Sequence, residues 1–394
     1  MKIRTAPFNW LLKHTDSDRI LVVIGARQVG KSTLMKQYKE YQEKKGEEVH
    51  YITLENSQYK ILLEKDPDNL FQIIGSLSNK KRITVIIDEI QYLTNPTHTL
   101  KYLYDMYKEN LKIIVTGSSS FYIDEKFTDS LAGRKFIYEL ESLGFGEFLD
   151  FKEYKIPLKY SLDVFRNMLP LWYEYIVYGG YPAVVLAKTP EEKKEILSEL
   201  ADSYTKKDIV DYDIKSVENY YRILKLLALQ CGGLLNINTI SNQLDIPRTT
   251  VERYVHIMEK SFHIKIVMPY STNKKNELKK MPKVYFYDSG LRNFFVNDFS
   301  FFDSRIDKGE LLENFFLKIC KEIYPNIDIR FWRDDKKHEV DFVIGDLYAY
   351  EVKNNKQNIH ISNYAFFTKL YPNVKFAVID NQDILKIFIE SRIQ

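Results

Sequence analysis

The chain has 394 residues, 45% of them hydrophobic and 28% charged, which excludes a disordered polymer and predicts two or three domains at roughly 100 to 200 residues each. A net charge of +3 is too small to name a partner, so charge has to be read locally. Cys231 and Cys320 lie far apart without zinc-type spacing, which argues against a disulfide framework and for reduced thiols in the cytoplasm.

The opening stretch MKIRTAPFNWLLKH has neither a long apolar core nor a small-residue cleavage site, so no signal peptide is expected. RILVVIGARQVGKSTLMKQYKEYQEK then reads as a buried strand, Ile20 to Ile24, a loop, and a helix with Leu34 and Met35 facing inward. That context makes Gly25, Ala26, Arg27, Gln28, Val29, Gly30, Lys31, Ser32 and Thr33 a candidate phosphate-binding loop. Gly25 and Gly30 flank the turn so that backbone N–H groups converge on phosphate oxygens, helped by the positive end of the helix dipole. Lys31 supplies a point charge to the β- and γ-phosphates, and the Ser32 hydroxyl ligates Mg²⁺.

KRITVIIDEIQYL carries a β-branched run, Ile83 to Ile87, of the kind buried on both faces of a parallel sheet. Asp88 ends it, where α/β sheets place ligands. Asp88 is assigned to Mg²⁺ through its water shell, and Glu89 to orienting and deprotonating the attacking water. A third strand, Leu111 to Val115, delivers Thr116, Ser118 and Ser119 to the same edge. In SLAGRKF, Arg134 follows Gly133. It is suited to stabilising the transferring phosphoryl group, in cis or from a neighbouring subunit, or else to a surface salt bridge.

The stretch from Met168 to Ala187 is long and apolar enough to cross a membrane, with Glu174 as its one charge. Pro170, Gly179, Gly180 and Pro182 interrupt it, so a buried helix ending in a turn is expected, with no membrane span.

Taken in order, GARQVGKST, IIDEIQ, VTGSSS, SLAGR and YGGYP resemble a large prokaryotic family of AAA+-type P-loop ATPases that carry a C-terminal domain of unassigned function related to restriction endonucleases. The likeness runs over nearly the whole chain. It implies ATP as the nucleotide, a sensor role for Thr116, and a lid turn at Gly180 and Pro182 near the adenine.

Beyond the lid, INTISNQLDIPRTTVERYVHIMEKSFHIKIV holds two short helical patterns separated by Asp245, Ile246 and Pro247, the spacing of a helix-turn-helix. Thr249, Thr250, Glu252 and Arg253 fall on or beside the outer face of the second helix, where a major-groove reader places its side chains. The hairpin that follows carries Lys274, Lys275, Lys279, Lys280 and Lys283 in or beside its loop. These lysines form either a basic wing for DNA phosphates or a solvated loop on a module that contacts protein.

The last segment, HEVDFVIGDLYAYEVKNNK, reads as a hairpin. A two-residue turn would separate Asp341 from Glu351. A three-residue loop sets Ile344 opposite Tyr348 and Asp341 opposite Glu351, and it gathers Val340, Phe342, Ile344, Tyr348, Tyr350 and Val352 on one apolar face. The second register is therefore predicted, with Asp341 and Glu351 as candidate ligands of a shared divalent ion and Lys353 as the group that positions or deprotonates water. Upstream, Glu313 borders the inner face of an amphipathic helix and joins the cluster. The set resembles the restriction-endonuclease core, without its proline before the first acid, and carries its roles onto Glu313, Asp341, Glu351 and Lys353. The alternative is a salt-bridged Glu351 and Lys353 pair in a nuclease fold that no longer cuts.

The expected fold class is α/β: a P-loop parallel-sheet ATPase over 1–150, a helical lid over 151–220, a winged helix over 221–300 and a small restriction-endonuclease-like α/β domain over 301–394. The expected function is an ATPase using ATP and Mg²⁺ to control DNA binding, with cleavage by the last domain. Its rival is an ATP-controlled switch that holds DNA or protein without cutting. A homo-oligomer and a protein partner stay open.

Overall fold

Ile20–Ile24 (β1), Val49–Thr53 (β2), Ile83–Asp88 (β3), Leu111–Gly117 (β4) and Lys135–Glu139 (β5) form a sheet in the order β2-β3-β4-β1-β5, every neighbouring pair parallel. β1, β3 and β4 are buried at every residue, as expected of strands rich in Ile and Val that are covered on both faces of a parallel sheet. The computed structural model describes residues 2–76, 82–118, 131–271, 281–356 and 364–392. It divides the chain into one unit of residues 1–141 with 260–262, and a second of 142–259 with 263–394.

In the first unit β4 lies between β1 and β3, with Val23 paired to Thr116 on one side and Ile87 to Val115 on the other. The C-terminal ends of β1 and β3 are thus separated by one strand, and Thr116 stands between them. Helices Lys31–Lys44, Ser57–Lys65 and Pro96–Tyr107 connect the strands.

The second unit begins with helices. Phe145 of helix Phe145–Phe151 packs on Tyr175, Phe315 and Phe388 at ring separations of 5.5, 5.4 and 5.2 Å, so this segment shares the second unit's core. Helix Leu162–Tyr178 continues through Pro170, which the sequence suggested would interrupt it. The proline removes one ladder hydrogen bond, but the buried stripe of Phe165, Met168, Trp172 and Ile176 holds the helix across it. The helix ends at Gly179, whose φ of +77° suits glycine, and Pro182–Leu186 follows as a short helix. Glu174 is paired to Lys152 at 2.7 Å and Lys193 at 2.9 Å. No described helix is long and apolar enough to cross a membrane.

Next come helices Val217–Leu229, Ile237–Leu244 and Arg248–Lys260 and an antiparallel pair, Ile264–Val267 (β6) and Lys283–Phe286 (β7). Asp245, at φ +54°, makes the turn between the second and third of these helices. The chain then forms helix Lys308–Ile323, Ile329–Arg333 (β8), Glu339–Ile344 (β9), Tyr348–Val352 (β10), Lys375–Ile379 (β11) and helix Asn381–Ser391, with sheet order β11-β10-β9-β8.

The β9–β10 register pairs Ile344 with Tyr348 and Phe342 with Tyr350 across a three-residue loop, as the apolar pattern predicts. Gly345 takes a φ of +52° in that loop. Both faces of this sheet are covered. Phe342 and Tyr350 meet Phe316 at 5.5 and 5.2 Å, while Val343 and Ala349 are buried with Trp332, Phe367 and Tyr371. The sequence suggested a single apolar face, because small residues such as Ala349 give little hydropathy signal while packing tightly.

Ser119 and the lysines Lys274, Lys275, Lys279 and Lys280 lie outside the described residues.

Candidate functional site

The loop after β1 is shaped by glycines that no other residue could replace cheaply. A Cβ on Gly25 would sit 1.9 Å from the Leu140 carbonyl oxygen, and Gly30 opens helix Lys31–Lys44 at φ +97°. Gln28 also takes a positive φ, +55°, while Ala26 and Val29 are buried beneath the loop and Thr33 is exposed. Lys31 is buried, and its Nζ donates to the carbonyls of Gly25 at 2.9 Å and Ala26 at 2.7 Å. Arg27 and Ser32 border the same loop at the helix start, both part-buried.

Arg4 holds the loop from the outside. Its buried Nη1 donates to the carbonyls of Val29 at 3.0 Å and Glu141 at 2.7 Å. In a trans peptide the C=O and the next N–H point in opposite directions, so fixing the Val29 carbonyl on Arg4 aims the Gly30 N–H the other way. Sequence reading missed Arg4, which lies 25 positions from Val29 in the chain.

At the end of β3, Asp88 is buried and accepts hydrogen bonds from the Thr116 and Tyr51 hydroxyls, one to each carboxylate oxygen. Burial and the Asp88 carboxylate push the Tyr51 phenol well above its usual range, while a hydrogen bond with Ser32 opposes them. Tyr51 therefore touches both Ser32 and Asp88. A hydroxyl and a carboxylate converging on one point form an oxygen donor pair that fits Mg²⁺.

Glu89 follows at φ +60°, a left-handed conformation that is costly for glutamate, and its N–H donates to the Thr116 hydroxyl at 3.1 Å. The Glu89 carboxylate accepts from Gln91 Nε2, which also donates to Ser118 Oγ at 2.8 Å. So Thr116 and Ser118 fall where expected. Tyr51 and Gln91 were not singled out from the sequence. Tyr51 carries a faint signal: it lies two residues before Thr53, the register partner of Asp88, on the neighbouring strand.

Arg134 is elsewhere. Its carbonyl accepts the Ile20 N–H at 2.9 Å at the start of β1, whereas the loop begins after that strand's fifth residue, about 13 Å on at roughly 3.3 Å per residue. The guanidinium donates to Asp105 at 2.9 Å. An action of Arg134 on its own loop is thereby corrected: the surface salt bridge is what the geometry gives. Pro182, in the second unit, is the first residue of its short helix.

The second unit gathers the other acids. The Asp341 N–H donates to Glu351 at 3.3 Å, and Asp341 in turn accepts the Val352 N–H at 3.0 Å, so the two acids are neighbours as the register requires. Between Asp341 and Glu313, however, sits Lys283. Its buried ammonium is 2.6 Å from Glu339, 3.0 Å from Asp341 and 3.6 Å from Glu313. Lys353 pairs with Glu351 at 2.5 Å.

One expectation is corrected here. Lys283 is not a wing lysine for phosphate contacts, because it points inward and is only 2% exposed. Asp341 and Glu351, the expected pair of metal ligands, are each paired with a lysine, Asp341 with Lys283 and Glu351 with Lys353. Among the described residues no group of three or more acids, histidines or cysteines has metal-holding geometry.

Burial and the neighbouring Asp341 raise the Glu313 carboxyl above its ordinary range, with Lys283 opposing. Glu351 is raised by burial and Asp341 as well, with Lys353 opposing. Burial pulls Lys283 down, but Glu313, Asp341 and Glu339 together outweigh it and the net shift is upward. Glu339 was missed in the sequence although it stands two residues before Asp341.

On helix Arg248–Lys260, Val251, Tyr254, Val255 and Met258 are buried as the pattern requires. Arg248, Thr249, Glu252 and His256 are exposed, and Thr250 is half-buried. Arg253 is drawn back, its guanidinium donating to the carbonyls of Tyr212 at 2.5 Å and Asp213 at 3.3 Å.

Comparison with known proteins matches residues 17–149 to the AAA domain family. Residues 169–300 and 308–391 match two families described as domains of unknown function, DUF8612 and DUF4143. An uncharacterized protein of Haemophilus influenzae is 29% identical over 346 residues, covering 84% of this chain and 81% of its own. Another, of Methanocaldococcus jannaschii, is 28% identical over 334 residues, covering 83% and 72%. A solved Walker-type ATPase of Pyrococcus abyssi superposes with a TM-score of 0.48 at 14% identity, over 75% of this chain and 96% of that one.

Proposed function

Starting from a P-loop ATPase, we propose that this chain uses ATP and Mg²⁺ to control a hold on DNA, and that it binds DNA without cutting it. On the ATPase side, Gly30 and the loop amides receive the phosphates, and Lys31 adds a point charge within reach of the loop mouth. Ser32 and, through water, Asp88 would hold Mg²⁺, which supplies charge neutralisation at the β- and γ-phosphates when bound. Glu89 is the base that orients and deprotonates water, and Gln91 fixes its carboxylate. Thr116 links Asp88 to the Glu89 backbone, so a change at the γ-phosphate is felt by both. Arg134 is left to act on a neighbouring copy.

The observation that carries the DNA reading is the face of helix Arg248–Lys260: apolar residues sunk, and Arg248, Thr249, Glu252 and His256 exposed. Three helices followed by a two-stranded hairpin support a winged-helix reading in which this helix would be the one that enters the groove. The helix-then-sheet order of residues 308–391 supports the nuclease-like reading, in which Glu313, Asp341, Glu351 and Lys353 would form the acid site. The ammonium at that site favours holding over cutting.

The test is fluorescence anisotropy of a labelled DNA duplex with ADP and with a non-hydrolysable ATP analogue, for wild type and for Thr249→Ala with His256→Ala. Affinity that differs between nucleotides and drops at least about tenfold in the double variant is expected, since each lost polar contact is worth around 1 kcal/mol. Equal affinity in every arm would sink the DNA reading.

A further inference from the structure

A nuclease-like domain implies a divalent cation at its acids, and the residues here do not fit one as they stand. The position among Glu313, Glu339 and Asp341 is taken by the ammonium of Lys283, which comes from β7 in the preceding hairpin, 58 positions before Asp341. We propose that Lys283 is a tethered counter-ion that closes this carboxylate cluster to divalent cations. This rests on the nuclease-like reading only for the kind of cation expected.

The fit of the ammonium is complete. Lys283 is 2% exposed, and its Nζ lies within 3.6 Å of three separate carboxylates. The charge is also nearly balanced. Arg333 pairs with the second oxygen of Glu339 at 2.7 Å, and Lys353 pairs with Glu351 at 2.5 Å, so four acids face three cations. A hydrated Mg²⁺ entering beside Lys283 would meet a like charge at close range in a poorly screened site.

Each acid is nevertheless oriented by a group other than Lys283. Tyr285 donates its hydroxyl to Glu313 at 3.0 Å, Arg333 holds Glu339, and the Val352 N–H holds Asp341 at 3.0 Å. The all-oxygen set is thus kept in place by an outer layer that survives removal of the lysine. A cavity of about 510 Å³, lined by Gly232, Gly233, Lys283, Glu310, Glu313 and Lys353 among others, opens onto it and gives an ion a route in. Replacing the ammonium by a neutral side chain leaves uncompensated carboxylates, which a hard divalent cation at 2.0–2.6 Å from oxygen would neutralise.

The experiment measures Mn²⁺ bound to the nucleotide-free full chain by electron paramagnetic resonance, with thermal denaturation alongside. Wild type and Asp341→Asn are expected to bind the same amount of Mn²⁺. Lys283→Met is expected to bind one further Mn²⁺ per chain and to regain melting temperature when Mn²⁺ is added, and Lys283→Met with Asp341→Asn to lose both. No added Mn²⁺ in a folded Lys283→Met protein would overturn the proposal. So would a wild-type site that Asp341→Asn abolishes, a comparison that holds even if Lys283→Met does not fold. Neither DNA affinity nor ATP turnover enters this readout, so its failure is distinct from failure of the functional reading.

Discussion

Two acid sites stand on two sheets of this molecule, and they treat their carboxylates in opposite ways. Asp88 and Glu89 are held by neutral donors, the hydroxyls of Tyr51 and Thr116 and the amide of Gln91, and among the described residues no cation pairs with either. Asp341, Glu339 and Glu351 are held by Lys283, Arg333 and Lys353. Neutral partners fix a carboxylate's direction and leave its charge available to a metal or a proton. Ammonium and guanidinium partners fix direction and use the charge up. The proposed function rests on this contrast, with chemistry assigned to the first site and stability to the second.

The sharpest way to break the contrast is at Glu89. Glu89→Gln is expected to lower kcat for ATP about 10³-fold with KM little changed, within the range for loss of a general base, as read in a steady-state phosphate-release assay. Turnover near wild type would remove Glu89 from that role. The matching change in the second site, Lys283→Met, is expected to destabilise the second unit by about 3–5 kcal/mol in urea unfolding, because a buried charge set loses its partner. A loss under about 1 kcal/mol would mean the ion pairs are incidental.

The raised carboxyls give a pH signature. Glu313 and Glu351 bind their protons more tightly folded than unfolded, so their contribution is fully present below the unfolded carboxyl range, about pH 4.3. It is lost as pH rises through the folded values. Urea unfolding at a series of pH values should therefore show the second unit weakening on the alkaline side of that range, and Glu313→Gln should flatten the slope. An unchanged slope in Glu313→Gln would assign the effect elsewhere.

Gln91→Ala should cost about tenfold in kcat, the worth of one hydrogen bond of roughly 1.4 kcal/mol that holds Glu89, and leave nucleotide affinity unaltered. Lys353→Ala is the mildest. Its side chain is 41% exposed, so the pair with Glu351 is worth no more than about 1 kcal/mol of stability.

What the sequence revealed and what it hid divide along chain distance. The phosphate loop, the β3 acid pair and the Ile344–Tyr348 register are local. Each is decided by a strand's apolar run, a glycine or the parity of a turn, all visible within a few residues. The partners that tune these groups are not local. Arg4 reaches Val29, Tyr51 reaches Asp88 and Lys283 reaches Asp341 across separations of 25, 37 and 58 residues, which only the folded packing brings together. Lys283 was misread for that reason. Beside a run of lysines it looks like one more solvent-facing charge, and nothing in its neighbours announces three carboxylates. Arg134 was half legible, since a surface salt bridge was one of its readings and Asp105 supplies it.

The most direct measurement places both sites in one tube: wild-type protein with ATP and a mixture of single- and double-stranded DNA, in Mg²⁺ and separately in Mn²⁺, followed for phosphate release and for DNA fragments. The expected result is ATP hydrolysed and DNA intact in both metals. DNA fragments that disappear in Asp341→Asn and in Lys353→Ala would contradict the account, because the second site would then be catalytic with its lysine in place.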